Sequence, residues 1–256
     1  MKQTENMRAH NIDKFAVIIL AAGQGTRMKS DLPKAMHLLN GRPLIDYVVA
    51  GVEKNNDRVV VVKAFDNNLV SDYLKDRVEY AVQKEILGTG HAVMSAENLV
   101  NGSVDHVIVL YGDMPFITQE SIAQLKEKHL QRDNTITLMT TVLPDFNDWR
   151  SAFYSFGRII RGFDGHIIKI VEKKDASVDE LKIREVNPSY FCFKADWLWK
   201  NLKKLDNKNA NQEYYLTDLL KLAIDNGEKI SSIEIDPREA VGINNQEDLV
   251  KAESII

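Results

Sequence analysis

The chain has 256 residues, 44% of them apolar and 27% charged, with a formal net charge of −4. These values fit one large globular domain and carry no cationic excess for nucleic acid or an anionic membrane. Its one cysteine, Cys192, excludes an internal disulfide framework, and no apolar run reaches membrane-spanning length, so a cytoplasmic protein is expected. Residues 1–14, "MKQTENMRAHNIDK", lack a signal-peptide hydrophobic segment and are expected to be a flexible tail ahead of one domain at 15–256. "FAVIIL" (15–20), "RVVVVK" (58–63), "VEYAV" (78–82), "HVIVL" (106–110) and "TITLMTTVL" (135–143) are nearly continuous apolar runs, as strands covered on both faces should be. Between the first two, Leu44, Ile45, Val48, Val49 and Val52 recur at helical spacing. Alternating strands and helices imply βαβ crossovers and a mostly parallel, mixed central sheet of α/β class. Beyond residue 150 the pattern turns β-rich. A hairpin is expected around Asp164-Gly165, one strand over "EVNPSYFCFK", a helix over "YYLTDLLKLAI" and a strand over "SSIEI". This half should form a smaller lobe inserted into the sheet and closing over it.

Ligands of open parallel sheets bind outside the carboxyl ends of the strands. Three polar clusters begin where a predicted strand ends: "AAGQGTRMKSDLPK" from Ala21, "QKEILGTGHA" from Gln83 and "YGDMP" from Tyr111. In the first, Gly23 and Gly25 permit positive φ and a close approach of backbone N–H groups to an anion. Met28 replaces the last glycine of a dinucleotide fingerprint, and no P-loop pattern occurs. Arg27 and Lys34 remain, two cations at fixed offsets that suit a polyphosphate. This segment alone leaves open the alternative of a solvated turn with ordinary surface charges. Asp113 ends the third cluster's strand, and a carboxylate facing two cations suggests Mg²⁺ held between protein and phosphates. Thr118 is better placed than Asp113 to cap the helix that follows. Other suggestive residues have plainer readings: Cys192 in the core, His91 opening a helix, and Trp197 and Trp199 packing from a helix. Asp218 stays open between a catalytic role and a role in orienting the second half.

"LAAGQGTRMKSDLPK" resembles the signature of sugar-nucleotide pyrophosphorylases. The ordered set "QKEILGTGHAV", "VLYGDMPFI", "FGRIIRGFDGHIIKIVEKKDAS", "EVN", "NQEYYLTDLL" and "VGINN" narrows the resemblance. It is similar to the uridyltransferase half of bacterial bifunctional N-acetylglucosamine-1-phosphate uridyltransferases/glucosamine-1-phosphate acetyltransferases. The resemblance implies a Rossmann-like nucleotidyltransferase fold with a smaller sugar-binding β-rich lobe. It implies UTP and N-acetylglucosamine 1-phosphate as substrates, UDP-N-acetylglucosamine and pyrophosphate as products, and Mg²⁺ as cofactor. By motif, Ala21, Ala22 and Gly23 line the nucleotide, and Arg27 and Lys34 bind its phosphates. Gln83, with Gly88 and Thr89, reads the uracil; Tyr111 and Gly112 line the substrate; Asp113 and Asn244 hold Mg²⁺. Gly157, Glu172 and Asn187 contact the sugar.

Three departures stand against that pattern. Ile86 sits where a second glutamine is usual, and "NPSY" stands where asparagine-threonine-glycine is usual, with Pro188 lacking an N–H. The sequence ends at Ile256 without a hexapeptide-repeat β-helix, so no acetyltransferase activity is expected. A pyrophosphorylase for another sugar 1-phosphate and a non-catalytic UDP-sugar-binding module stay open as alternatives, and the sequence fixes no oligomeric state.

Overall fold

Runs of β-branched residues set the centre of the molecule. A computed structural model describes residues 13–53, 57–209 and 211–253; most of the expected tail, residues 1–12, lies outside the described residues. The strands are β1 (Phe15–Leu20), β2 (Leu38–Leu39), β3 (Arg42–Pro43), β4 (Arg58–Ala64), β5 (Glu79–Gln83), β6 (His106–Tyr111), β7 (Ile136–Val142), β8 (Gly157–Arg161), β9 (Ile167–Val171), β10 (Glu185–Asn187), β11 (Phe191–Lys194) and β12 (Ile230–Glu234). The helices are α1 (Leu44–Val52), α2 (Leu69–Leu74), α3 (Thr89–Met94), α4 (Glu97–Val100), α5 (Gln119–Gln131), α6 (Ala195–Leu202), α7 (Asp218–Asp225) and α8 (Gln246–Glu253). Ten strands join in the order β5-β4-β1-β6-β11-β7-β10-β8-β9, with β12 also on β7; β2 and β3 pair separately.

β5, β4, β1 and β6 are mutually parallel, and β12 is parallel to β7. β11 enters between β6 and β7 antiparallel to both, so the sheet is mixed but mostly of one direction. β10, β8 and β9 continue it as an antiparallel meander, the smaller β-rich part of the molecule. Successive side chains of a strand point to opposite faces, and β1 divides accordingly. Val17 and Ile19 pack on the side of α1, α2 and α5; Ala16 and Ile18 pack on the side of α3, α6 and α7. Both faces of β1 are therefore covered, which is why it reads as one apolar run.

Two expected elements differ from the structure. The single strand over 185–194 is split. Pro188 offers no N–H, Ser189 takes φ 68°, and the Asn187 side chain accepts from the Ser189 N–H at 2.8 Å. That turn shifts the chain's register along β7, from Val186 opposite Thr141 in β10 to Phe191 opposite Leu138 in β11. The helix expected from Tyr214 starts at Asp218. The preceding residues bond elsewhere: Tyr214 N–H to Leu87 O at 2.8 Å, and Leu216 N–H to Thr89 Oγ1 at 3.0 Å. Among the described residues no helix is long and apolar enough to cross a membrane.

Candidate active site

Because β5, β4, β1 and β6 run in parallel, their carboxyl ends share a rim. Leu20 lies in register with Val62 and Tyr111, and Ala64 with Gln83. All three polar clusters read from the sequence therefore meet there. A cleft of about 240 Å³ is lined by Ala21, Ala22, Gly23, Lys34, Gln83, Gly88, Thr89, Tyr111 and Asp113.

Of the two glycines in the first loop, Gly25 takes the positive φ expected and Gly23 does not. Gly25 has φ 66°, and a Cβ there would lie 3.0 Å from Lys34 Cβ, so only glycine lets Lys34 fold back on the turn. Gly23 lies outside the left-handed region, and a Cβ there would meet nothing within 4 Å; it contributes open space. Its carbonyl accepts from the Lys34 N–H at 3.3 Å. Met28, which replaces the fingerprint's last glycine, is 1% exposed and packs with Leu39, Leu44 and Ile243 under the loop.

Lys34 points at the end of β6. Its ammonium donates to Asp113 Oδ2 and, at 2.6 Å, to Asn244 Oδ1. Arg27 Nη2 donates to the same Asn244 oxygen at 2.9 Å. Backbone bonds bring these distant segments together, with Gly112 N–H to Leu20 O and Ile243 N–H to Asp113 O, each 2.9 Å. A Cβ at Gly112 would lie 3.0 Å from Ile45 Cδ1 and 3.2 Å from Ala21 Cβ, so that position needs a residue without one. Asn244 is oriented by its own contacts: its N–H donates to Asp248 Oδ2 at 2.9 Å and its Nδ2 to Gly242 O at 3.3 Å, which leaves Oδ1 for cations. One carboxylate oxygen and one amide oxygen, already gathered around a cation, are a pair of hard-oxygen donors that fits Mg²⁺. No group of three or more His, Cys, Asp or Glu side chains converges as a metal site among the described residues.

At the other end of the cleft Gln83 is 2% exposed, and its Nε2 donates to Gly88 O at 3.2 Å and lies 3.1 Å from His91 Nδ1. Gly88 has φ 97°, and a Cβ there would lie 2.7 Å from Tyr214 O. Gly90 N–H donates to that same oxygen at 2.7 Å. The Gly88-Thr89-Gly90 arch thus clasps residues 213–216. Ile86 also lines the cleft, 43% exposed, and offers no hydrogen bond.

Gly157, Glu172 and Asn187 group beside the cleft without lining it. Asn187 is in register with Gly157, and a Cβ on Gly157 would sit 3.4 Å from Glu172 Oε1. Asn187 Oδ1 accepts within its own turn, which occupies one of its two lone pairs and leaves the amide nitrogen as a donor. Burial raises the Glu172 carboxyl, Lys174 opposes that shift, and Asp218 adds to it. Burial raises Asp218 as well. Tyr111 joins the two groups: burial pushes its phenol far up, and Asp113 and Glu172 both add to the effect.

Sequence reasoning missed several rim residues. Glu213 and Tyr215 close the cleft from the segment clasped by the arch. A second cavity, about 290 Å³, shares Ala21, Ala22 and Gly23 with the cleft and is lined by Lys63 near the end of β4 and by Asp66 and Asn67 after it. The strand-end rule would have found them, because "RVVVVK" ends on that rim too. Thr118 caps α5 as expected, its Oγ1 accepting from the Ser121 N–H at 3.2 Å.

Residues 17–205 match the family described as MobA-like NTP transferase domain. The bifunctional protein GlmU of Acetivibrio thermocellus is 41% identical over 93% of this chain and 51% of that protein. The bifunctional protein GlmU of Desulfotalea psychrophila is 36% identical over 93% of this chain and 69% of that protein. The chain spans about half the length of the Acetivibrio and Shouchella clausii relatives it matches. A solved structure described as a glucose-1-phosphate thymidylyltransferase from Bacillus anthracis superposes with TM-score 0.75 at 19% identity, over 94% of both chains, and so shares the fold. With its rim of parallel strand ends and its matched residues, the chain belongs to the MobA-like NTP transferase family and is a nucleotidyltransferase.

Proposed function

We propose that the chain transfers a uridylyl group from UTP to N-acetylglucosamine 1-phosphate, releasing pyrophosphate, with residues 15–256 acting as one catalytic domain. The observation that carries this reading is the cluster of Arg27 and Lys34 against Asp113 and Asn244 at the mouth of a cleft floored by Ala21–Gly23. Two cations against one carboxylate suit a reaction that brings two polyanions together. A phosphate oxygen of the sugar 1-phosphate forms a bond to the α-phosphorus as the bond from that phosphorus to the bridging oxygen of pyrophosphate breaks. The attacking oxygen is already anionic at neutral pH, so no general base is needed, and the work left to the protein is alignment and charge neutralisation.

Open space at Gly23 and the left-handed turn at Gly25 admit the triphosphate, and Arg27 and Lys34 receive the charge that develops on the departing pyrophosphate. Asp113 and Asn244 would hold Mg²⁺, which supplies Lewis-acid neutralisation of the phosphate oxygens when bound. The Gly88-Thr89 backbone, braced by Gln83, faces the base. Glu172, whose carboxyl burial raises, and the Asn187 amide nitrogen offer hydrogen-bonding groups to sugar hydroxyls.

Another sugar 1-phosphate as acceptor is favoured by one observation: Asn187 Oδ1 already accepts from the Ser189 N–H, so one of its two lone pairs is taken by the turn at Pro188. A pyrophosphate-release assay separates the readings by crossing UTP, CTP, dTTP and GTP with N-acetylglucosamine, glucose and galactose 1-phosphates. The highest kcat/KM is expected for UTP with N-acetylglucosamine 1-phosphate. Nucleotide binding without pyrophosphate from any pair would leave a non-catalytic module.

A further inference from the structure

The oxygens of Asp113 and Asn244 already hold a cation. The Lys34 ammonium donates to Asp113 Oδ2 and Asn244 Oδ1, and the Lys34 and Asp113 side chains are only 17% and 20% exposed. These are the same two oxygens that would ligate a divalent ion, and Arg27 crowds the second of them at 2.9 Å. An ion arriving alone must displace the ammonium and then sit beside it, with like charges a few ångströms apart in a partly desolvated site. The root of Lys34 cannot retreat, because its N–H is bonded to Gly23 O and its Cβ is packed against the Gly25 backbone. Only the outer methylenes and ammonium can swing, and among the described residues of the cluster the anion that the ammonium bonds is Asp113. A polyphosphate laid over the Gly23 turn would offer it another.

We propose that Lys34 is the resident counter-ion of the metal site, excluding free divalent ions and yielding Asp113 and Asn244 when a nucleotide polyphosphate draws its ammonium away. Metal and nucleotide then enter as a coupled pair. The inference rests on the reading of Asp113 and Asn244 as metal ligands, and its test separates the two claims.

The probe is Mn²⁺, with binding to the full chain measured by electron paramagnetic resonance in the absence of any sugar phosphate. Without nucleotide, Lys34→Gln should bind Mn²⁺ on the order of tenfold more tightly than the unmodified chain. Lys34→Arg, which keeps the charge, should bind weakly, as the unmodified chain does. Equal or weaker binding by Lys34→Gln, or tight binding by Lys34→Arg, overturns the counter-ion role. Adding Asp113→Ala to Lys34→Gln should abolish the gain; a gain that persists places the metal elsewhere and removes the metal-ligand reading itself. UTP should then tighten Mn²⁺ binding by a larger factor in the unmodified chain than in Lys34→Gln. Equal factors would overturn the coupling to nucleotide.

Discussion

Replacing Gly88 with alanine tests whether the Gly88-Thr89-Gly90 arch holds the base end of the cleft. The residue sits at φ 97°, ψ 178°, a region essentially confined to glycine, and forcing a side chain there costs about 1–3 kcal/mol. The new methyl would also meet Tyr214 O at 2.7 Å and Glu213 Cβ at 2.8 Å. The second neighbour belongs to a segment pinned by Tyr214 N–H to Leu87 O and by Leu216 N–H to Thr89 Oγ1, so it cannot move freely; such overpacking adds about 1–3 kcal/mol. A loss of about 3 kcal/mol is therefore expected, equivalent to roughly 6–12 °C in Tm for a chain of this size. Gly102→Ala is the control, since φ there is also positive, 76°, but a Cβ would meet nothing within 4 Å; it should cost only about 1 kcal/mol. Thermal unfolding of both variants gives the stability difference, and the KM for UTP gives the functional one, expected to rise at least about tenfold for Gly88→Ala alone. If the two variants unfold within about 1 kcal/mol of each other and bind UTP alike, the arch is not what shapes that end of the cleft.

Lys34→Ala should lower kcat by about 10²–10³-fold with a smaller change in KM, as expected for a charge that acts mainly on the leaving group; a normal kcat with a raised KM would mean uniform binding. Asp113→Ala and Asn244→Ala share one cationic cluster, so the double variant should turn over little more slowly than Asp113→Ala, whereas fully multiplicative losses would separate the two residues. Behind the sheet, His129 Nδ1 lies 2.9 Å from Thr137 Oγ1 and His129 Nε2 lies 3.2 Å from His106 Nδ1. Burial, with His106 adding to it, pushes His129 down to about 3, and burial lowers His106. Because the folded value lies below the unfolded value near 6.5, this contribution is complete above about pH 6.5 and is lost as the pH falls toward 3. Urea unfolding at pH 7 and pH 5 should show a loss about 2 kcal/mol smaller in His129→Gln than in the unmodified chain; equal losses would mean that His129 is not held neutral.

The rim was legible because β1 and β6, covered on both faces, announce themselves as apolar runs, and β5, though an edge strand with Glu79 and Val82 exposed, still ends on Gln83 where a polar cluster begins. Register made the rest follow: once β5, β4, β1 and β6 are parallel, Gln83, Leu20 and Tyr111 must share an edge. Neighbour order was not legible, since nothing in "FCFK" says that β11 slips antiparallel between β6 and β7. The break at Pro188-Ser189 could have been read from proline's missing N–H, but the apolar residues around it masked the turn. The start of α7 was hidden for a different reason. Tyr214 and Leu216 have helical spacing with the residues after them, and tertiary bonds to Leu87 and Thr89 override it. In the site, the strand-end rule brought Asp113 to face Lys34, 79 residues away, whereas Asn244, 210 residues away, came from family resemblance rather than from any local pattern.

The central claim is that this cluster joins a sugar phosphate oxygen to the α-phosphorus of a nucleoside triphosphate. The direct measurement supplies N-acetylglucosamine 1-phosphate carrying ¹⁸O in all its non-bridging phosphate oxygens, with unlabelled UTP, and weighs both products by mass spectrometry. Every labelled oxygen should stay in the UDP-sugar, the pyrophosphate should be unlabelled, and Asp113→Ala should abolish both products. Label in the pyrophosphate, or UTP recovered intact from a protein that binds it, would contradict the account.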